Sequence, residues 1–138
     1  MTTRFGAGLF VSTLLLLGTA PLAGAHHSVA GEFDVHKTVT LAGVVSKVDW
    51  VNPHIHITLD VKGKDGKVAS WLLEGVPVGM ARKAGLTKAQ LEGHGETVTV
   101  LAYPARDGTK NLGFMVKITY PDGHVYQFAV DTNPKPAT

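Results

Sequence analysis

Apolar and polar residues alternate most regularly at 54–61, where Ile55, Ile57, Leu59 and Val61 fall on one side and His54, His56, Thr58 and Asp60 on the other. A period of two marks a half-buried β-strand. Lys62-Gly63-Lys64-Asp65-Gly66-Lys67 follows as a hairpin loop, with Asp65-Gly66 supplying positive-φ positions. Residues 68–73 return as a third strand, with Trp71 and Leu73 on one face. Upstream, Val39 and Leu41 occupy odd positions, whereas Val44, Val48 and Trp50 occupy even ones. That change of parity predicts a long first strand with a bulge or sharp bend at Gly43. Pro53 cannot donate to a ladder and ends it.

The pattern then changes. Residues 78–84 and 87–91 predict one or two short helical turns, with Gly85 as a stop and Thr87 as an N-cap. Gly93-His94-Gly95-Glu96 reads as a turn, and 97–103 alternates again, Val98 and Val100 against Thr97 and Thr99. A polar loop at 104–111 leads to a fifth strand over 112–120, the tight turn Pro121-Asp122-Gly123, and a last short strand over 125–130. Residues 26–37 have no clear period and are expected to form an extended arm; 131–138, with two prolines, are expected to be a frayed tail.

A helical piece between the third and fourth strands of a five-strand antiparallel set predicts an all-β, OB-like barrel of five to six strands. An open β-sandwich is the alternative, because strand count does not separate the two. Closing the sheet would also remove edges that invite aggregation. In an OB-type barrel the second and third strands and their flanking loops form the usual binding surface, which would put His54 and His56 at its mouth.

The first 25 residues read as an export signal. Arg4 is the only basic side chain, 9–17 is an apolar block, and Ala23 and Ala25 are the small residues that precede a signal-peptidase cut. Cleavage after Ala20 or after Ala23 would put Pro21 in a poor position. The block is shorter than the roughly 20 residues of a membrane span, and no Cys follows it, so no stable membrane anchor is expected. Residues 26–37 would be the arm, 38–130 a single barrel domain and 131–138 the tail. A periplasmic or secreted location follows.

Composition narrows the function classes. Zero Cys removes disulfide staples, thiolate metal sites and thiol catalysis. Losing Arg4 lowers the formal charge from +2 to +1, and the remaining basic residues are scattered. Nucleic acid is therefore not an expected partner. Ser28, Ser46 and Ser70 sit in no nucleophile elbow, and Glu32, Asp34, Glu74, Glu92 and Glu96 show no spacing diagnostic of glycoside hydrolysis. A binding module is expected rather than an enzyme; a copper oxidase with an amino-terminal His is the enzymatic alternative.

All seven His lie after Ala25. Cleavage there would leave His26 amino-terminal, its amine and ring Nδ1 able to chelate one ion, with His27 beside it. His54 and His56 emerge from one strand face about 7 Å apart at Cα, a spacing suited to zinc or copper. The arm from His27 to His36 could reach about 30 Å if extended, far enough to bring the two pairs together. Nitrogen donors in a planar set favour Cu(II). The candidate metal ligands are thus His26, His27, His54 and His56, for Cu(II) or Zn(II). The plain alternative stays open: solvent-facing strand histidines, and a His pair that merely follows a cleavage site. The same face, with Trp50 and the Arg106 loop, could instead meet a small ligand or a periplasmic protein. Trp50 and Trp71 are otherwise expected in the core, Arg106 and Lys110 in a solvated loop, and His36, His94 and His124 exposed.

Several segments together resemble a bacterial family of exported domains of unknown function, DUF6152. They are Ala25-His26-His27-Ser28, Glu32-Phe33-Asp34, Leu41-Ala-Gly-Val-Val-Ser-Lys-Val-Asp-Trp50, Asn52-Pro53-His54, Trp71 near Glu74-Gly75, the stretch 93–98 and Asp122-Gly123. The resemblance implies export and a small β domain and supplies no activity. Similar members often carry another residue where this chain has His56, so a family-wide metal role would rest on His26, His27 and His54.

Overall fold

The computed structural model describes residues 28–131. The first strand, β1 (Val39–Asp49), is long because it serves two neighbours. Its first half pairs antiparallel with β4 (Thr97–Pro104), and its second half pairs with β2 (His56–Lys62). Val44 is shared between them, opposite both Thr97 and Asp60.

The parity change lies later than the sequence pattern suggested. Val45 faces Leu59 and Lys47 faces Thr58, so Ser46 is the extra residue. Leu41 and Gly43 are buried before it and Val48 after it. Gly43 has a different job. A Cβ there would stand 2.5 Å from the Asp60 carbonyl oxygen, so glycine is what lets β2 cross close over β1.

The hairpin from β2 to β3 (Val68–Glu74) keeps unbroken register from Lys62 opposite Val68 to His56 opposite Glu74. β5 (Leu112–Thr119) pairs antiparallel with β4 and parallel with β3, through Leu72–Leu112, Leu73–Gly113 and Glu74–Phe114. That parallel contact closes a five-strand barrel in the circular order β1-β2-β3-β5-β4. The three-residue β6 (Val125–Gln127) adds to the outside of β5. Closure excludes the open sandwich. The last strand is shorter than expected, because the Phe128 and Ala129 N–H groups both turn to the Val116 carbonyl.

The barrel interior is filled by the alternating residues of β2 (Ile57 and Leu59), with Ile55 just before it, by Leu73, Val98 and Val100, and by Met115 and Ile118 of β5. A first short helix, α1 (Val29–Glu32), precedes β1, and the insert between β3 and β4 forms the two expected short helices, α2 (Val78–Lys83) and α3 (Lys88–Glu92). Val78, Ala81, Leu86 and Leu91 of the insert complete the core. The Tyr120 O–H donates to the carbonyls of Gln90 and Leu91 at 2.9 and 3.2 Å, tying the insert to the end of β5. Burial pushes the Tyr120 phenol well above its ordinary range. Thr87 caps α3 in a capping box: its hydroxyl accepts the Gln90 N–H and the Gln90 side chain accepts the Thr87 N–H. Replacing Thr87 by Ala should lower stability by about 1 kcal/mol, read as a shift of the urea midpoint at unchanged slope.

A second, smaller core lies on the outer face of β4 and β5, made of Phe33, Tyr103, Phe114 and Val116. It takes in part of the segment that the sequence pattern suggested would be an extended arm. From Ser28 onward that segment is one helical turn, α1, followed by a β-bridge from Phe33 to Ala105. Phe33 is buried, with its ring centroid 5.7 Å from that of Phe114. The Asp34 N–H donates to the Pro104 carbonyl, and the Arg106 N–H donates to the Glu32 carbonyl. The physical reason is the near-continuous apolar run Leu112-Gly-Phe-Met-Val116: its outward residues also need cover, and Val29, Phe33 and Val35 supply it. Lys37 and the His36 N–H beside Asp34 hold its carboxyl below the usual carboxylate range. Among the described residues no helix is long and apolar enough to cross a membrane.

Candidate functional site

The outward side of the β2–β3 hairpin carries the two strand histidines. Because Ile55, Ile57 and Leu59 fill the interior, alternation turns His54 and His56 outward, each about a third exposed. Pairing then brings Glu74 to them, since it stands directly opposite His56. His54 Nδ1 lies 2.5 Å from Glu74 Oε1, and His56 Nε2 lies 3.9 Å from Glu74 Oε2. The carboxylate is the most covered of the three, its side chain only 14% exposed. The first contact is within hydrogen-bond distance; the second is beyond it.

Glu74 was the residue that spacing in the sequence did not single out. A signal existed in the hairpin: counting outward from Lys62 opposite Val68 brings His56 opposite Glu74.

The register also relates this cluster to the N-terminal segment. His56, Glu74, Phe114 and Tyr103 form one continuous row across β2, β3, β5 and β4. Phe33 packs over Phe114 in that row. The N-terminal segment therefore lies over the strand next to Glu74, at an interstrand spacing of about 4.8 Å.

His26 and His27 lie outside the described residues. Among the described residues no three His, Cys, Asp or Glu side chains are arranged to hold a metal ion. His54 and His56 with Glu74 thus form a pair of imidazoles around one shared carboxylate.

The other predicted residues take ordinary places. Trp50 and Trp71 pack partly buried against the main core, while Arg106 and Lys110 are exposed in the β4–β5 loop. His36 is exposed. His94 and His124, with Glu96, Asp122 and Tyr126, line an open groove of about 240 Å³ near the β5–β6 turn. Its carboxylates already serve their own turns: Glu96 accepts the His94 N–H and Asp122 accepts the His124 N–H. The Glu96 backbone N–H and that of His94 hold the Glu96 carboxyl below its usual range.

A five-strand barrel closed by a parallel β3–β5 pair, with a helical insert before β4, defines a small OB-like domain. The chain belongs to a family of unknown function, DUF6152, whose model matches residues 14–114. No curated protein and no solved structure matches it.

Proposed function

We propose that this chain is an exported binding module for Cu(II) or Zn(II), not a catalyst, serving metal sequestration or delivery in the periplasm or outside the cell. His54 and His56 supply two imidazoles, and His26 with its freed amine, together with His27, completes the donor set. The observation that supports this most is the row from His56 through Glu74 to Phe114, with Phe33 docked on it. Two imidazoles alone make an incomplete site. The docked segment begins at Ser28, and two further residues extend at most about 7 Å. An all-nitrogen donor set with an α-amine favours copper.

The test uses exported protein whose mature terminus has been fixed by intact mass, with cleavage expected after Ala25. Titration with Cu(II) and Zn(II) should show a dissociation constant in the micromolar range or tighter. Replacing His54 by Ala, or adding one residue before His26, should each take binding out of that range. Binding that survives both changes would rule out this site.

A second reading has its own observation. Leu72, opposite Thr58 on the β2–β3 hairpin that also carries His56 and Glu74, is 44% exposed, which suits a small apolar ligand or a partner protein on the same OB-type face. That reading predicts a silent metal titration and a loss of ligand capture in Leu72→Ser.

A further inference from the structure

We infer that Glu74 is the positioning residue of His54: it holds the imidazole with its proton on Nδ1 and presents Nε2 as the atom that meets a metal. The inference deepens the metal reading of this site, and its first part stands without it.

Two arrangements are chemically open to a carboxylate beside two imidazoles. It can be a ligand itself, sharing the ion with His54 Nδ1 and His56 Nε2. Alternatively it can stand behind one imidazole and orient it. The distances favour the second. Zn–N and Zn–O bonds are about 2.0–2.2 Å, so two donors on one tetrahedral ion stand roughly 3.3 Å apart. His54 Nδ1 and Glu74 Oε1 are 2.5 Å apart, a separation that fits a shared proton and not a shared ion. A hydrogen bond at Nδ1 sets the tautomer and leaves Nε2 unprotonated. Nε2 lies across the ring from Nδ1 and so points away from Glu74. His54 is more exposed than Glu74, 28% against 14%, so the carboxylate is the inner partner and the ring the outer one.

The backbone reinforces this. Gly75, next to Glu74, donates its N–H to the Ile55 carbonyl at 2.7 Å, and Ile55 donates its own N–H to the Val76 carbonyl at 3.1 Å. These bonds lock the residues that follow Glu74 and His54 to one another. A carboxylate on one strand thus orients a ring carried two residues before the start of the other, which is how outer-shell partners of metal-bound histidines act. His56 Nε2, at 3.9 Å, is beyond hydrogen-bond distance of the same carboxylate.

Metal-free protein labelled with nitrogen-15 tests the first part. Long-range proton–nitrogen correlations should show the His54 proton on Nδ1 in wild type and in Glu74→Gln, whose amide oxygen still accepts. In Glu74→Ala the balance should move toward Nε2–H. Zn(II) titration of the same proteins tests the second part: Glu74→Ala should weaken binding about 10- to 100-fold, while Glu74→Gln should stay within a few-fold of wild type. Wild-type His54 found with its proton on Nε2 would overturn the inference. So would a loss in Glu74→Gln as large as in Glu74→Ala, which would make the carboxylate a direct ligand. If the tautomer follows Glu74 as expected but wild type takes up no metal, the positioning role stands and the proposed metal function falls.

Discussion

Replacing Phe33 by Ala should lower the free energy of unfolding by about 3–5 kcal/mol, the range for a fully buried aromatic side chain. Phe33 is 1% exposed and lies outside the barrel proper, so the size of the effect measures how firmly the N-terminal segment is docked. The change removes the ring that faces Phe114 and leaves Tyr103, Phe114 and Val116 partly uncovered. Urea unfolding read by tryptophan fluorescence would follow it, since Trp50 and Trp71 pack on the main core and not on this one. Phe33→Leu keeps most of the apolar volume and should cost roughly half as much or less. A functional result follows from the same docking. With the segment released, the proposed metal site should weaken even though His54, His56 and Glu74 are intact. A loss of stability below about 1 kcal/mol for Phe33→Ala would show that the segment does not dock as described.

Gly43→Ala should be nearly as damaging, by about 3 kcal/mol, at the upper end of what overpacking costs. The added methyl would meet the Asp60 carbonyl oxygen at 2.5 Å, its carbon at 3.0 Å and Leu59 Cγ at 3.1 Å. Two of these three atoms are backbone, so no side-chain rotation relieves the clash. The position is the point where β1 passes from β4 to β2, beside Val44, which pairs with both. Separating β1 from β2 there would strain the closure of the barrel, not one contact alone. The neighbouring Ala42 is exposed and makes a control: Ala42→Ser should change stability by less than about 0.5 kcal/mol. Thermal melts of the three proteins would settle the comparison. Equal midpoints for Gly43→Ala and wild type would mean that β2 does not cross as closely as the structure shows.

How much was legible in the sequence varied with the range of the interaction concerned. The second strand was plain because Ile55, Ile57 and Leu59 alternate with polar residues over its length, and local periodicity records burial on one face. The α3 cap was plain because Thr87 satisfies N–H groups only three residues away. Gly43 was conspicuous, but its meaning was misplaced. A glycine between two apolar parities looks like a bulge, whereas the extra residue is Ser46, in the polar pair Ser46-Lys47 between Val45 and Val48. Gly43 is there for Asp60, a residue of another strand. Phe33 was invisible as a core residue because its partners, Tyr103 and Phe114, are about 70 to 80 positions away and no period marks an isolated buried ring.

By itself, then, the sequence determined the strands, their turns, the helical insert and the outward direction of His54 and His56, all set by side-chain periodicity and by residues with restricted backbone preferences. Only the tertiary structure decided that β3 meets β5 in parallel, that the N-terminal segment covers β5 from outside, and that Glu74 stands between the two imidazoles. The reason is physical. Period and capping are paid out along the chain, where each residue meets only its neighbours, while closure and cluster formation depend on free energies shared between segments far apart in sequence. Those contacts bring His56, the carboxylate and the docked segment onto one row of the barrel wall, with His54 beside the carboxylate.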